Sequence, residues 1–166
     1  TINGGAPLTV TSTGNTATVS APTATPGTFT YSLVSVQDAS PASCSQPQTG
    51  SAIVTVNPLP TATISGSTTV CENATSPFIT FTGAVGTAPF TFSYSINGGP
   101  ALTVTTTSGN TVTVPAPTGT PGTFVYTLLN VTDGTSTACT QNQSGSATIT
   151  INPLPTATIS GTTEQC

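Results

Sequence analysis

Apolar and hydroxylated residues alternate strictly along Ser146-Ala147-Thr148-Ile149-Thr150-Ile151. This period sets Ala147, Ile149 and Ile151 on one face of a strand and Thr148 and Thr150 on the other, as in a sheet with one buried side. An earlier copy of the segment turns Ala52, Val54 and Val56 inward by the same rule. Phe124, Tyr126 and Leu128 alternate with Val125 and Thr127, and then Leu129 and Val131 continue on the opposite parity, which predicts a bulge or twist near Leu128. Phe29, Tyr31 and Leu33, followed by Val34 and Val36, are the earlier equivalents.

Extended to the neighbouring sequence, this reading predicts strands near Thr61–Ser65, Pro77–Thr82, Phe90–Ile96, Leu102–Thr106, Thr111–Val114, Thr123–Thr132 and Ser146–Ile151. Turn-forming stretches separate them at 83–86, 97–100, 108–110, 115–122 and 133–134. Short strands at this spacing imply an all-β domain of two antiparallel sheets packed face to face. Phe78, Phe81, Phe90, Phe92, Tyr94, Phe124 and Tyr126 are the bulky candidates for its core.

The segment Thr1–Cys71 returns as Ser95–Cys166, an offset of about 95 residues, the size of one small domain. Ile2-Asn3-Gly4-Gly5 returns as Ile96-Asn97-Gly98-Gly99, and residues 57–66 return unchanged as 152–161. One inserted residue near Ser108 separates the two registers. The expected organisation is the C-terminal part of a repeat at 1–58, a complete repeat at 59–153, and the first strand of another at 154–166. Asn57, Pro58 and Pro60, with Asn152, Pro153 and Pro155, form the expected connectors. Two prolines in four residues make a short extended spacer with little torsional freedom.

Composition narrows the function. About a quarter of the residues are threonine, whose branched side chain favours strands over helices. Lysine, arginine and histidine are absent. Without cations to neutralise phosphate, nucleic-acid binding loses its dominant attraction, and anionic membrane surfaces are disfavoured for the same reason. No apolar run approaches the roughly twenty residues that span a bilayer, so membrane insertion is not expected. Without histidine, the usual nucleophile systems and most zinc sites lack their base or ligand. The acids are Asp38, Glu72, Asp133 and Glu164. Asp38 and Asp133 occupy one repeat position in different domains and do not make a catalytic pair, so no enzyme activity, cofactor or metal is expected. Asp133-Gly134 reads as a turn-former rather than a calcium site.

Residues 57–66, then Thr69-Val70-Cys71-Glu72-Asn73, then the run 88–99 from Ala88-Pro89-Phe90 to Asn97-Gly98-Gly99, resemble the PKD-like, immunoglobulin-like repeats strung together in very large secreted bacterial surface proteins. The resemblance covers the whole chain. It implies tandem immunoglobulin-like (PKD-like) antiparallel β-sandwich domains of about 95 residues. It also implies stalks of adhesins at the extracellular cell surface, often exported by the type IX system. The Trp-Asp-Phe-Gly-Asp-Gly signature of the original PKD module is missing. The expected function is a non-catalytic stalk or filament segment. Its partners are neighbouring repeats and, because no lysine guards the strand edges, other copies of the chain in a fibre. The alternative is a module whose loops at Gly83–Pro89 or Thr135–Gly145 grip a glycan or another surface.

Cys44 and Cys139 share one repeat position, and Cys71 and Cys166 share another. With no Cys-x-x-Cys motif and no histidine, disulfides in an oxidising compartment are the expected chemistry. One pairing joins Cys71 to Cys139, leaving Cys44 and Cys166 to partners outside this sequence. An immunoglobulin-like strand order would set Cys71 and Cys139 at opposite poles. The other possibility is a staple between neighbouring units or chains, in which Cys71 meets the hairpin cysteine of the following repeat.

Overall fold

The computed structural model describes residues Thr1 to Cys166 and contains strands but no helix. The chain divides into two compact units, Thr1–Pro58 and Leu59–Cys166. In the first unit, β1 (Gly27–Ser32) pairs antiparallel with β4 (Ser51–Val56), and β2 (Ser35–Gln37) pairs with β3 (Ser45–Pro47). The second unit begins with β5 (Thr61–Ser65), β6 (Thr68–Cys71), β7 (Phe78–Ala84) and β8 (Thr91–Ile96). It continues with β9 (Leu102–Thr105), β10 (Thr111–Pro115), β11 (Gly122–Thr132), β12 (Thr140–Asn142) and β13 (Ser146–Asn152).

The second unit is a β-sandwich. One sheet runs β10-β7-β5, and the other runs β6-β13-β11-β8-β9 with β12 attached to β11. Ala62, Ile79 and Phe81 come from the first sheet and meet Phe92, Tyr94, Tyr126, Leu128, Val131, Ala147, Ile149 and Ile151 of the second in one buried core. The Phe81 ring centroid lies 5.6 Å from that of Phe92 and 5.0 Å from that of Tyr94, so aromatic contacts tie the sheets together. Two buried threonine hydroxyls of this unit bond to its backbone. Thr106 Oγ1 accepts from the Phe90 amide at 2.9 Å, and Thr118 Oγ1 donates to the Ala74 carbonyl at 2.6 Å.

The inward set Ala147, Ile149 and Ile151 is buried as the alternation requires. The pairing of β11 with β8 slips between Leu128 and Asn130, and burial passes from Leu128 to Val131 across the slip, where the parity change predicts a bulge. Phe78 departs from expectation, being 56% exposed. Ile79, Phe81 and Gly83 take the inward parity of β7, which turns Phe78 outward. Phe124 is half-buried at the margin of the core.

Two strands escaped the alternation reading, β6 and β12, each too short to show a period. β6 also departs from the expected antiparallel plan, because it lies parallel to β13, with Ile149 opposite Thr68 and Asn152 opposite Cys71. The chain crosses from one sheet to the other at Gly66, which has φ +116° and where a Cβ would collide with the Phe78 carbonyl oxygen. The Ser67 hydroxyl then accepts from the Thr148 amide at 2.9 Å and starts the new pairing.

The first unit carries segments that correspond to those of the second but stand in a different state. Leu8–Val10 and Thr16–Val19 match β9 and β10 but form no strand. In the second unit β10 is held by β7 and β9 by Thr91–Tyr94 of β8, and the first unit has no strand in either position. Thr156–Ser160 repeats the sequence of β5 yet is strandless, with Ile159 fully exposed. The strand expected in 154–166 is therefore not formed, since β5 owes its ladder to β7.

Candidate functional site

The loop from Asp133 to Cys139 is built around one carboxylate. Asp133 Oδ1 accepts from the Thr135 hydroxyl at 2.7 Å, the Cys139 amide at 3.0 Å and the Thr135 amide at 3.3 Å. Asp133 is only 4% exposed, and its Oδ2 is buried without a hydrogen-bond partner. Burial pushes its pKa up, but the Thr135 hydroxyl and the Thr135 and Cys139 amides outweigh it and hold the carboxyl below its ordinary value. Asp38 builds the same loop in the first unit, accepting from the Ser40 hydroxyl at 2.8 Å and the Cys44 amide at 2.9 Å. The Ser40 hydroxyl is the main cause of its lowered pKa. The expected role of Asp133 as a turn-former has this physical form.

The two loops considered for glycan binding meet at this pole of the second unit. The Gly134 amide donates to the Thr87 carbonyl at 2.7 Å, and a Cβ on Gly134 would strike Pro89. The Ala88–Pro89 peptide bond is cis. Phe90 points away from solvent, under Gly83 and beside Phe92, with ring centroids 6.4 Å apart.

The cysteines are all thiols. Cys71 sits at the end of β6 opposite Asn152, and Gly122, the start of β11, pairs with Ile151 at that same end of the sheet. Cys139 adjoins β12, whose Thr140 pairs with Thr132 at the far end of β11. The eleven residues of β11 put the two cysteines on the order of 30 Å apart, against the roughly 7 Å that a disulfide allows between α-carbons. The structure does not bring Cys71 and Cys139 together, so this pairing is corrected: the thiols occupy opposite poles of one sandwich. Cys44 lies exposed beside β3, and Cys166 lies exposed in the strandless segment.

The connector residues divide between spacer and domain. Pro60 is fully buried and its carbonyl accepts from Gln143 Nε2 at 3.4 Å, while Gln143 Oε1 accepts from the Ala62 amide at 3.1 Å. Pro60 thus docks into the second unit. Asn57 and Pro58 are half-buried, Asn152 closes β13 and its carbonyl accepts from the Glu72 amide at 2.8 Å, and Pro153 and Pro155 are exposed.

Gln143, which ties the β12 hairpin to the first strand, went unread in the sequence. The bonds of Asn97 did too, beyond its place in the predicted turn: its Oδ1 accepts from the Val125 amide at 2.8 Å and its backbone amide donates to the Val125 carbonyl at 2.9 Å. Asn3 does the same with Thr30 in the first unit. Recurrence of both residues, as Gln48 and Asn3, was the available signal.

One surface of the first unit stays open. The face that β11 and β13 bury in the second unit corresponds to Phe29 and Tyr31 of β1 and Ala52, Val54 and Val56 of β4. Here Ala52 is exposed and the others are only half-buried. A hollow of about 360 Å³ lies over it, lined by Ile2, Leu8, Val10, Val19, Tyr31 and Ala52 among others. No family model, curated protein or solved structure matches this chain.

Proposed function

We propose that the chain is a non-catalytic, load-bearing segment of a stalk or filament of tandem immunoglobulin-like (PKD-like) repeats at a bacterial cell surface, associating with copies of itself. The observation that carries this reading is the path of the chain through the second unit. It enters at Pro60 and Thr61, beside Ala84 and Gln143, and leaves at Asn152, beside Cys71, at the opposite pole. Tension between entry and exit runs lengthwise through the sandwich. The parallel ladder between β6 and β13 is then loaded in shear, with all of its bonds resisting together, rather than being unzipped one by one. Recurrence of the same sequence about 95 residues on supports a design multiplied for length.

Cysteines at opposite poles suit cross-links between successive domains in an oxidising, extracellular setting better than a link within one domain. Single-molecule stretching tests the reading. Pulled from its termini, the chain is expected to show a distinct unfolding peak for the second unit, and weakening the β6–β13 edge with Val70→Pro should lower that peak. Featureless extension would sink the proposal.

A second reading, glycan binding at the pole, is favoured by the contact between the Thr87 and Gly134 loops. Glycan-array binding by the intact chain, lost on replacing residues 135–138, would support it over the stalk.

A further inference from the structure

We infer that the outer face of the sheet β10-β7-β5 in the second unit is an adsorption surface for ice. Its strands carry Thr61-Ala62-Thr63-Ile64-Ser65, Thr80-Phe81-Thr82 and Thr111-Val112-Thr113. Ala62, Ile64, Phe81 and Val112 pack into the core, which leaves the hydroxylated residues between them on the opposite face.

Strand pairing aligns these residues. Thr63, Thr82 and Thr111 lie side by side in one row across the sheet, and Ser65, Thr80 and Thr113 in the next. Strand geometry sets neighbours about 4.8 Å apart within a row and rows about 6.8 Å apart. The residues on the two edge strands are exposed, and Thr80 and Thr82 are half-buried between them. None of the six hydroxyls bonds within the protein, whereas Thr61 beside them donates to the Ala84 carbonyl at 3.1 Å. The other sheet differs. There the Thr91 and Thr105 hydroxyls bond each other at 2.9 Å, those of Thr132 and Thr140 at 2.8 Å, and Val125 stands beside Thr148.

One threonine hydroxyl holds a ligand weakly, and six at fixed spacings are satisfied together only by a ligand that repeats in two dimensions. Ice presents its oxygens in a net with spacings of the same order. Branching at Cβ restricts the threonine side chain, so little rotamer freedom is lost on binding, and each hydroxyl stands beside a methyl that displaces loosely held water. The three strands contain no charged residue, so the face offers nothing to an ionic partner. A crystalline polysaccharide is the competing solid, but sugar rings stack on aromatic faces, and Phe78 is the one outward aromatic of these strands. The face lies wholly within the second unit, where β7 is paired on both sides, and the inference does not depend on the stalk reading.

The test grows ice slowly from a solution of the full chain and compares the protein concentration in the ice with that in the remaining liquid. Enrichment in the ice is expected. Thr63→Lys and Thr113→Lys, at exposed positions on the edge strands, should each lower it about tenfold, as for the loss of one hydrogen bond. Thr103→Lys, at an exposed position on β9 of the other sheet, should leave it unchanged. Thermal melts of all three variants should match the parent, since surface replacements of this kind scarcely alter stability. Exclusion of the parent chain from ice would overturn the inference, as would an enrichment that Thr103→Lys lowers as much as Thr63→Lys. Retention on crystalline cellulose in place of ice, or a solution dimer that Thr63→Lys dissociates, would overturn it equally. None of these outcomes alters the stretching experiment, so the two proposals fail separately.

Discussion

Gly83 shows how one side chain's absence positions another. A Cβ there would lie 2.6 Å from Phe90 Cγ, so the ring occupies the space a larger residue would need. Gly83→Ala is expected to destabilise the second unit by about 1–3 kcal/mol through overpacking. Gly119→Ala, whose nearest neighbour would be 3.9 Å away, should be near neutral, and denaturant titration of the two variants compares them. Asp133 makes a different prediction. Its folded pKa lies below the ordinary 3.8, so its ionised form contributes stability that is complete above that value and is lost as pH falls through the folded pKa. Asp133→Asn should flatten stability against pH in the acid limb. Asp133→Ala should cost about 1–3 kcal/mol at neutral pH, because the Thr135 and Cys139 amides lose their acceptor. Thermal melts across the acid range read both. The carboxylate's turn role was legible in Asp133-Gly134, whereas its burial was not, since that depends on the distant Thr87–Pro89 loop closing over it.

The paired strands β13 and β4 separate local sequence from context. Ile149 and Val54 hold one repeat position, yet Ile149 is fully buried and Val54 half-buried. Ile149→Ala should cost about 2–5 kcal/mol by opening a cavity in a closed core. Val54→Ala should cost under about 1 kcal/mol, because its face has no opposing sheet. Hydrogen exchange should divide in the same way, with amides of Thr111–Val114 protected and those of Thr16–Val19 exchanging freely, although the sequences correspond. The alternation and the parity change at Leu128 were readable because a strand's two faces alternate whatever the fold. β6 was not readable, because four residues show no period and its partner, β13, lies some eighty residues away.

For the chain as a whole, the cysteines give the clearest expectation. Oxidised monomer should yield no Cys71–Cys139 peptide on non-reducing mass mapping, since the thiols sit at opposite poles, and any disulfides should join different domains or copies. Strand period, the repeat and its spacing, the absence of cationic side chains and the bulge were determined by sequence alone, because each depends on neighbours along the chain or on composition. Tertiary structure decided which copy of a repeated segment becomes a strand, that Pro60 belongs to a domain and that β6 runs parallel. It also decided that Cys71 and Cys139 stand apart. Each of these depends on a ladder partner or a covering sheet far away in sequence, and a strand whose partner is absent leaves its amides to water however well its residues alternate.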